Sequence, residues 1–197
     1  MVETEGGGKA GGMKFRQRLA RRLLRLLGWT LVDLPERPRQ AVLVVYPHTS
    51  NWDFPYGILG KTALGLSARW AGKDSLFRPP LGPLMRWLGG IPINRRAPAG
   101  VVDQLAEELR RGDFLLAITP EGTRSLRPGW KSGFLRIAHA ADLPVMIAII
   151  DFGRQRIGVV DCFRLSGDDA ADIARIAADY ADCRGRRPQL ASPIRLL

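Results

Sequence analysis

Ala41-Val-Leu-Val-Val-Tyr46 is an unbroken, largely β-branched run that leaves directly into Pro47-His-Thr-Ser-Asn-Trp-Asp53, after which Phe54, Ile58 and Leu59 open a helix. A strand this apolar at every position is buried on both faces, as strands are in a parallel sheet covered by helices. The pattern repeats outward from it. Phe114-Leu-Leu-Ala-Ile-Thr119, Leu143 to Ile150 and Arg156 to Val160 read as further strands, with shorter ones at Ala68 to Ala71 and Ile91 to Asn94. Between them lie helical stretches over Pro98 to Arg111, with Val102, Leu105 and Leu109 on one face, Trp130 to Ala141 and Asp168 to Cys183. The Pro/Gly-rich Arg78-Pro-Pro-Leu-Gly-Pro83 leads into a short helix ending at Gly89-Gly90. Strands alternating with helices predict an α/β fold: a single domain with a mostly parallel central sheet flanked by helices.

The chain has 197 residues, 46% hydrophobic and 25% charged, which excludes a disordered or collagenous polymer and suits one sizeable core. No uncharged run reaches the roughly 18 residues that a membrane span requires. Cys162 and Cys183 are too few for a disulfide framework and read as reduced thiols.

The formal charge of +11 is unevenly spread. Residues 1–12, a glycine-rich stretch expected to be a disordered leader, carry −1; residues 13–39 carry +6; residues 40–183, which hold the chemistry, carry only +2; and the basic tail 184–197 carries +4. Basic ends point to an anionic partner met at the periphery. From Met13 to Leu27 the residues Phe15, Leu19, Leu23, Leu26 and Leu27 fall on one helical face, with Arg18, Arg21, Arg22 and Arg25 on the other. This predicts an N-terminal basic amphipathic helix able to lie on an anionic membrane surface, with Trp29 at the interface. The same pattern also fits a helix packed on the domain's own core. A signal peptide is not expected, because arginines interrupt the apolar residues and no small-residue cleavage site follows.

In such sheets the chemistry sits in loops at the carboxyl ends of the strands. Two loops qualify: Pro47 to Asp53, and Pro120-Glu-Gly-Thr-Arg-Ser125. His48 and Asp53 are five residues apart across a turn into a helix, which would let the carboxylate orient the imidazole as a general base; a loop histidine beside a helix-capping aspartate fits the spacing equally. In the second loop, Arg124 and two hydroxyls beside Gly122 suit phosphate oxygens, and Arg95 with Arg96 is a second cationic candidate or a pair of solvated arginines. There is no Gly-x-Ser-x-Gly elbow and no His-Glu-x-x-His, so neither a serine nucleophile nor a metal is expected, and His139 reads as structural.

Taken in order, His48-Thr-Ser-Asn-Trp-Asp53, Gly89-Gly-Ile-Pro-Ile-Asn-Arg95, Pro120-Glu-Gly-Thr-Arg-Ser125 and Leu143-Pro-Val-Met-Ile147 resemble the four ordered blocks of the glycerolipid acyltransferase family, whose members include 1-acylglycerol-3-phosphate acyltransferases. The resemblance spans about residues 40 to 150 and includes Lys73 and the Trp130-Lys-Ser-Gly-Phe134 segment. It implies that His48 is the general base and Asp53 its partner. It implies further that Arg95, Glu121, Gly122, Thr123 and Arg124 form the acceptor site for a phosphate. Pro47, Asn94 and Ile147 depart from the residues usual at those places.

The expected reaction moves a fatty acyl chain from acyl-CoA or acyl carrier protein to a lysolipid hydroxyl, foremost 1-acyl-sn-glycerol-3-phosphate, giving phosphatidic acid without metal or cofactor. An amino-acid-derived lysolipid or a glycolipid is an alternative acceptor. A non-catalytic basic protein for membrane or nucleic acid is the alternative of another class, disfavoured by the nearly neutral middle of the chain; no nucleic acid is expected as a partner. The basic arm leads us to expect a peripheral location on the cytoplasmic side of the cell membrane.

Overall fold

A computed structural model describes residues 14–93 and 100–197. The leader 1–12, Asn94, Arg95 and Arg96 lie outside the described residues. Seven strands form one sheet: β1 (Thr30–Val32), β2 (Ala41–Tyr46), β3 (Ala68–Lys73), β4 (Gly90–Ile93), β5 (Leu115–Ile118), β6 (Val145–Asp151) and β7 (Arg156–Phe163). Their spatial order is β1-β7-β6-β2-β5-β3-β4. Among the described residues six α-helices accompany them: α1 (Phe15–Leu26), α2 (Asp53–Leu64), α3 (Gly82–Trp87), α4 (Val101–Arg111), α5 (Gly133–Ala141) and α6 (Asp169–Asp179). The α/β class and the mostly parallel sheet are as the sequence predicts.

Strands β4, β3, β5, β2 and β6 run parallel to one another, whereas β7 is antiparallel to β6 and carries β1 parallel to itself. The reversal follows from chain length. Only the turn Phe152 to Gln155 separates β6 from β7, and a parallel pairing needs a crossover of a dozen residues or more. Strand β1 falls inside the segment that the sequence reading assigns to the basic arm. Its three residues hold no period of their own, and it exists because β7 offers an open edge. Gly158, at φ +149°, makes the pairing possible: a Cβ there would lie 1.8 Å from the Val32 carbonyl oxygen. Helix α5 starts at Gly133, not Trp130, because the Trp130 backbone instead bridges to Leu196, its N–H donating to the Arg195 carbonyl at 2.7 Å.

The two faces of the sheet differ. Val42, Val44 and Tyr46, alternate residues of β2, point into the larger core with Leu105 and Leu109 of α4, Phe134 and Ile137 of α5, and Ile176 of α6. Ala41 and Leu43 point the other way, toward Leu64 and Ala68. On that side α1 packs across α2, burying Ala20, Leu24 and Trp29 against Ala63, Ile150 and Ile157. The Arg21 Nε–H donates to the Ala63 carbonyl at 2.8 Å, locking the crossing.

The docked stripe of α1 is narrow. Phe15, Leu19, Leu23 and Leu26 are 71%, 47%, 40% and 84% exposed, so the apolar face read from the sequence is turned outward. Arg18, Arg22 and Arg25 are exposed along the flank of that stripe. Among the described residues, no helix is long and apolar enough to cross a membrane.

Candidate active site

Strand β2 ends at Tyr46, in the centre of the sheet, and the loop after it delivers His48 to the carboxyl edge. The loop turns tightly into α2. The Ser50 N–H donates to Asp53 Oδ2 at 2.8 Å, and the Asp53 N–H donates to the Ser50 carbonyl at 3.3 Å. This turn folds the Asp53 carboxylate back toward the chain that precedes it, where His48 Nδ1 lies 3.2 Å from the same Oδ2. Asp53 does not cap α2, whose N-cap is Trp52 with no side-chain cap bond; its carboxylate closes the preceding turn and faces the imidazole. Its side chain is 1% exposed and that of His48 is 16% exposed. With Nδ1 facing the Asp53 carboxylate, Nε2 is the ring nitrogen left to meet a proton donor.

His48 and Asp53 line the mouth of a cavity of about 810 Å³. Its floor is the sheet face made by Leu43, Val45, Ala117, Ala148 and Val159; α2 covers it with Phe54, Ile58, Lys61 and Leu64; and Trp70 and Ala71 of β3 close one side. The space exists because α2 rests over β6 and β7 instead of the sheet centre. Gly60 permits that lean, since a Cβ there would stand 2.8 Å from Ile157 Cδ1. Small side chains at Ala117 and Ala148 then leave the central strands uncovered. The volume falls in the range of small-molecule and cofactor sites, and the wall is mostly apolar with few polar groups, which suits a hydrocarbon chain.

Lys61 is the charged residue that α2 contributes to the cavity wall beyond Asp53. Its ammonium donates to the carbonyls of Ala68 and Leu88, each at 2.8 Å, and burial pushes its pKa down. Local sequence pattern gave no sign of this residue, because a lysine in the last turn of a helix ordinarily points to water.

The loop after β5 meets the His48 loop across the mouth. Arg124 Nε–H donates to the Ser50 carbonyl at 3.0 Å, tying the two loops together. Gly122, Thr123, Arg124 and Ser125 line the cavity, and Lys73 stands at the end of β3 on the same rim. Arg124 has no carboxylate partner among the described residues. A guanidinium held by Nε still presents its terminal N–H groups to a phosphate or carboxylate.

Glu121 is placed differently from its neighbours. It is 2% exposed and does not line the cavity. One carboxylate oxygen accepts from the His48 backbone N–H at 2.7 Å and the other from the Ser192 N–H at 2.9 Å. Burial pushes its pKa up, against the opposing pull of those two bonds. His139 is exposed in the last turn of α5, remote in the fold from the His48 loop. Neither Ser192 nor Thr49 stood out in the sequence, yet both contact this site.

The arrangement is a histidine against a buried carboxylate, at the mouth of an apolar cavity, with an arginine on the rim that has no carboxylate partner among the described residues. Comparison with known proteins gives two findings. A family model described as Acyltransferase matches residues 14–150. Among solved structures, the crystal structure of the 1-acyl-sn-glycerophosphate (LPA) acyltransferase PlsC from Thermotoga maritima superposes with a TM-score of 0.54 at 22% identity, covering 86% of this chain and 76% of that one. No curated protein matches the chain.

Proposed function

We infer the reaction from the premise that the match over residues 14–150 establishes: the chain belongs to the acyltransferase family. We propose that it moves a fatty acyl chain from a thioester, acyl-CoA or acyl carrier protein, to the hydroxyl of a lysolipid, foremost 1-acyl-sn-glycerol-3-phosphate, giving phosphatidic acid. The single observation that carries this reading is the His48–Asp53 pair opening onto the 810 Å³ apolar cavity. The PlsC named above acts on 1-acyl-sn-glycerophosphate and shares the fold, which supports the same acceptor class here.

In this reading His48 Nε2 takes the proton of the acceptor hydroxyl as its oxygen attacks the thioester carbonyl carbon. Asp53 holds the imidazole through Nδ1 and stabilises the imidazolium as it forms. The tetrahedral oxyanion collapses, the C–S bond breaks, and the departing sulfur takes the proton back from Nε2. The acyl chain lies in the apolar cavity, where each buried methylene contributes about 0.8 kcal/mol of binding. Arg124 and Thr123 hold the acceptor phosphate at the rim.

The membrane completes the reading. The outward face of α1, with Phe15, Leu19, Leu23 and Leu26 flanked by arginines, inserts among the headgroups of an anionic leaflet and places the enzyme where lysolipid is concentrated. The test is thiol release from palmitoyl-CoA with a panel of lysolipid acceptors, wild type beside His48→Ala. Acceptor-dependent release that the substitution abolishes supports the proposal, and the active acceptor identifies the substrate. Undiminished release by His48→Ala refutes the base assignment, and silence of the wild type with both CoA and carrier-protein donors refutes the reaction.

A further inference from the structure

The last fourteen residues do not extend away from the domain. They cross the carboxyl ends of three adjacent parallel strands, β6, β2 and β5, and are pinned at each. Next to β6, the Arg184 N–H donates to Asp151 Oδ1 at 3.2 Å, and Asp151 is fully buried. After β2, Gly185 packs against Thr49, where a Cβ would sit 2.5 Å from Oγ1, and the Arg187 N–H donates to that Oγ1 at 3.2 Å. After β5, the Ser192 N–H donates to Glu121, the Ser192 carbonyl accepts from the Tyr46 hydroxyl at 3.2 Å, and Ser192 Oγ accepts from the Arg127 N–H at 3.1 Å. The bridge between Leu196 and the buried Trp130 fastens the end.

Glu121 is the informative member. A buried carboxylate with no cationic partner among the described residues costs several kcal/mol, and an apolar side chain of that volume would cost nothing comparable. What the carboxylate supplies is direction. It holds two backbone N–H groups, of His48 and of Ser192, that lie 73 and 71 residues from it in the chain. The backbone of His48 is thus fixed from the C-terminal segment, by a route separate from the Asp53 contact that fixes its ring.

We propose that residues 184–197 form a strap that positions the catalytic base, acting through Ser192 and Glu121 on the His48 backbone and through Arg187 on Thr49. The proposal rests on the reading of His48 as general base. Glu121 is accordingly a positioning residue, not a ligand of the acceptor. A displacement of about 1 Å in a reacting group costs roughly 100-fold in rate, and that is the loss expected when the strap lets go.

The test uses the full chain with two near-isosteric substitutions. Glu121→Gln replaces one of the two acceptor oxygens by a donor, and Thr49→Val removes the acceptor of the Arg187 N–H. In folded protein, Glu121→Gln is expected to lower kcat about 100-fold with KM for donor and acceptor changed less than twofold, and Thr49→Val to lower kcat by a smaller factor in the same way. The nitrogen resonances of the His48 ring should shift in both. Arg164→Ala, which removes an exposed ion pair with Asp142 outside the strap and the site, should leave kcat unchanged. A folded Glu121→Gln enzyme with wild-type kcat and unshifted ring nitrogens overturns the proposal. An inactive wild type, or a fully active His48→Ala, refutes the base assignment instead. If neither variant folds, native-state hydrogen exchange of the wild type decides: the amides of His48 and Ser192 opening in one event support the strap, and Ser192 exchanging while His48 remains protected overturns it.

Discussion

Asp53→Asn tests the centre of the mechanism, because the structure lets the charge be removed with the geometry kept. Oδ2 alone makes both contacts of the Asp53 side chain, to the Ser50 N–H at 2.8 Å and to His48 Nδ1 at 3.2 Å, while Oδ1 is buried without a partner. An asparagine with its carbonyl oxygen in the Oδ2 position retains the Ser50 bond and the approach to Nδ1, and points its amide nitrogen where Oδ1 stood. What disappears is the negative charge beside the imidazolium that the proposed mechanism forms in the transition state. Two unit charges 3.2 Å apart attract by about 5 kcal/mol at an effective dielectric constant near 20. At 1.36 kcal/mol per tenfold, kcat should fall on the order of 10³- to 10⁴-fold. Neither the cavity nor Arg124 is touched, so KM for either substrate should stay within about threefold. The assay is thiol release at saturating donor and acceptor, with circular dichroism and a melting curve to show that the variant is folded. A folded Asp53→Asn enzyme that loses less than tenfold in kcat would refute the reasoning, since the carboxylate would then contribute only what a neutral amide does.

Three further experiments probe the scaffold. Leu19→Asp with Leu23→Asp, both on the exposed face of α1, should lower co-sedimentation with phosphatidylglycerol vesicles at least tenfold and leave the melting temperature within about 2 °C, because surface changes of this kind alter stability by about 0.5 kcal/mol or less. Gly158→Ala places a methyl group against the Val32 carbonyl and should expel β1 from the sheet edge, seen as a destabilisation of at least 3 kcal/mol in urea unfolding. Lys61 governs a pH effect. Burial lowers its pKa from 10.5, so between that lowered value and 10.5 the unfolded chain binds more protons than the folded one, and the Lys61 contribution to stability rises with pH. Urea midpoints of the wild type measured from pH 8 to 11 should rise relative to those of Lys61→Met, and a constant difference across that range would show that the ammonium is not desolvated.

Much of this protein is written locally in its chain. The runs 41–46, 115–118 and 145–150 are apolar at nearly every position, and a backbone so flanked has few choices beyond a central strand covered on both sides. His48 and Asp53 are joined by a turn of four residues, so their pairing is a short-range event that spacing alone kept open and the Ser50 to Asp53 turn closes. The outward apolar face of α1 is likewise a matter of period, although the period did not say that Ala20 and Leu24 would be the residues that dock.

Other features required the folded molecule. Strand β1 pairs with β7 across more than a hundred residues, and its three residues have no pattern to show in advance. The cavity depends on where α2 comes to rest, which its own Gly60 and Ala63 decide together with Ile157 of β7, far along the chain. Glu121 carries a signature that by resemblance points to the acceptor, while its oxygens are engaged by backbone groups 73 and 71 residues away. Residues 184–197 show in the sequence only their positive charge, yet their backbone is spent on holding the His48 loop. Side-chain period and spacing report on neighbours along the chain. Backbone hydrogen bonds between distant segments, and the space left between a helix and a sheet, depend on all the packing at once, and so they belong to the tertiary structure alone.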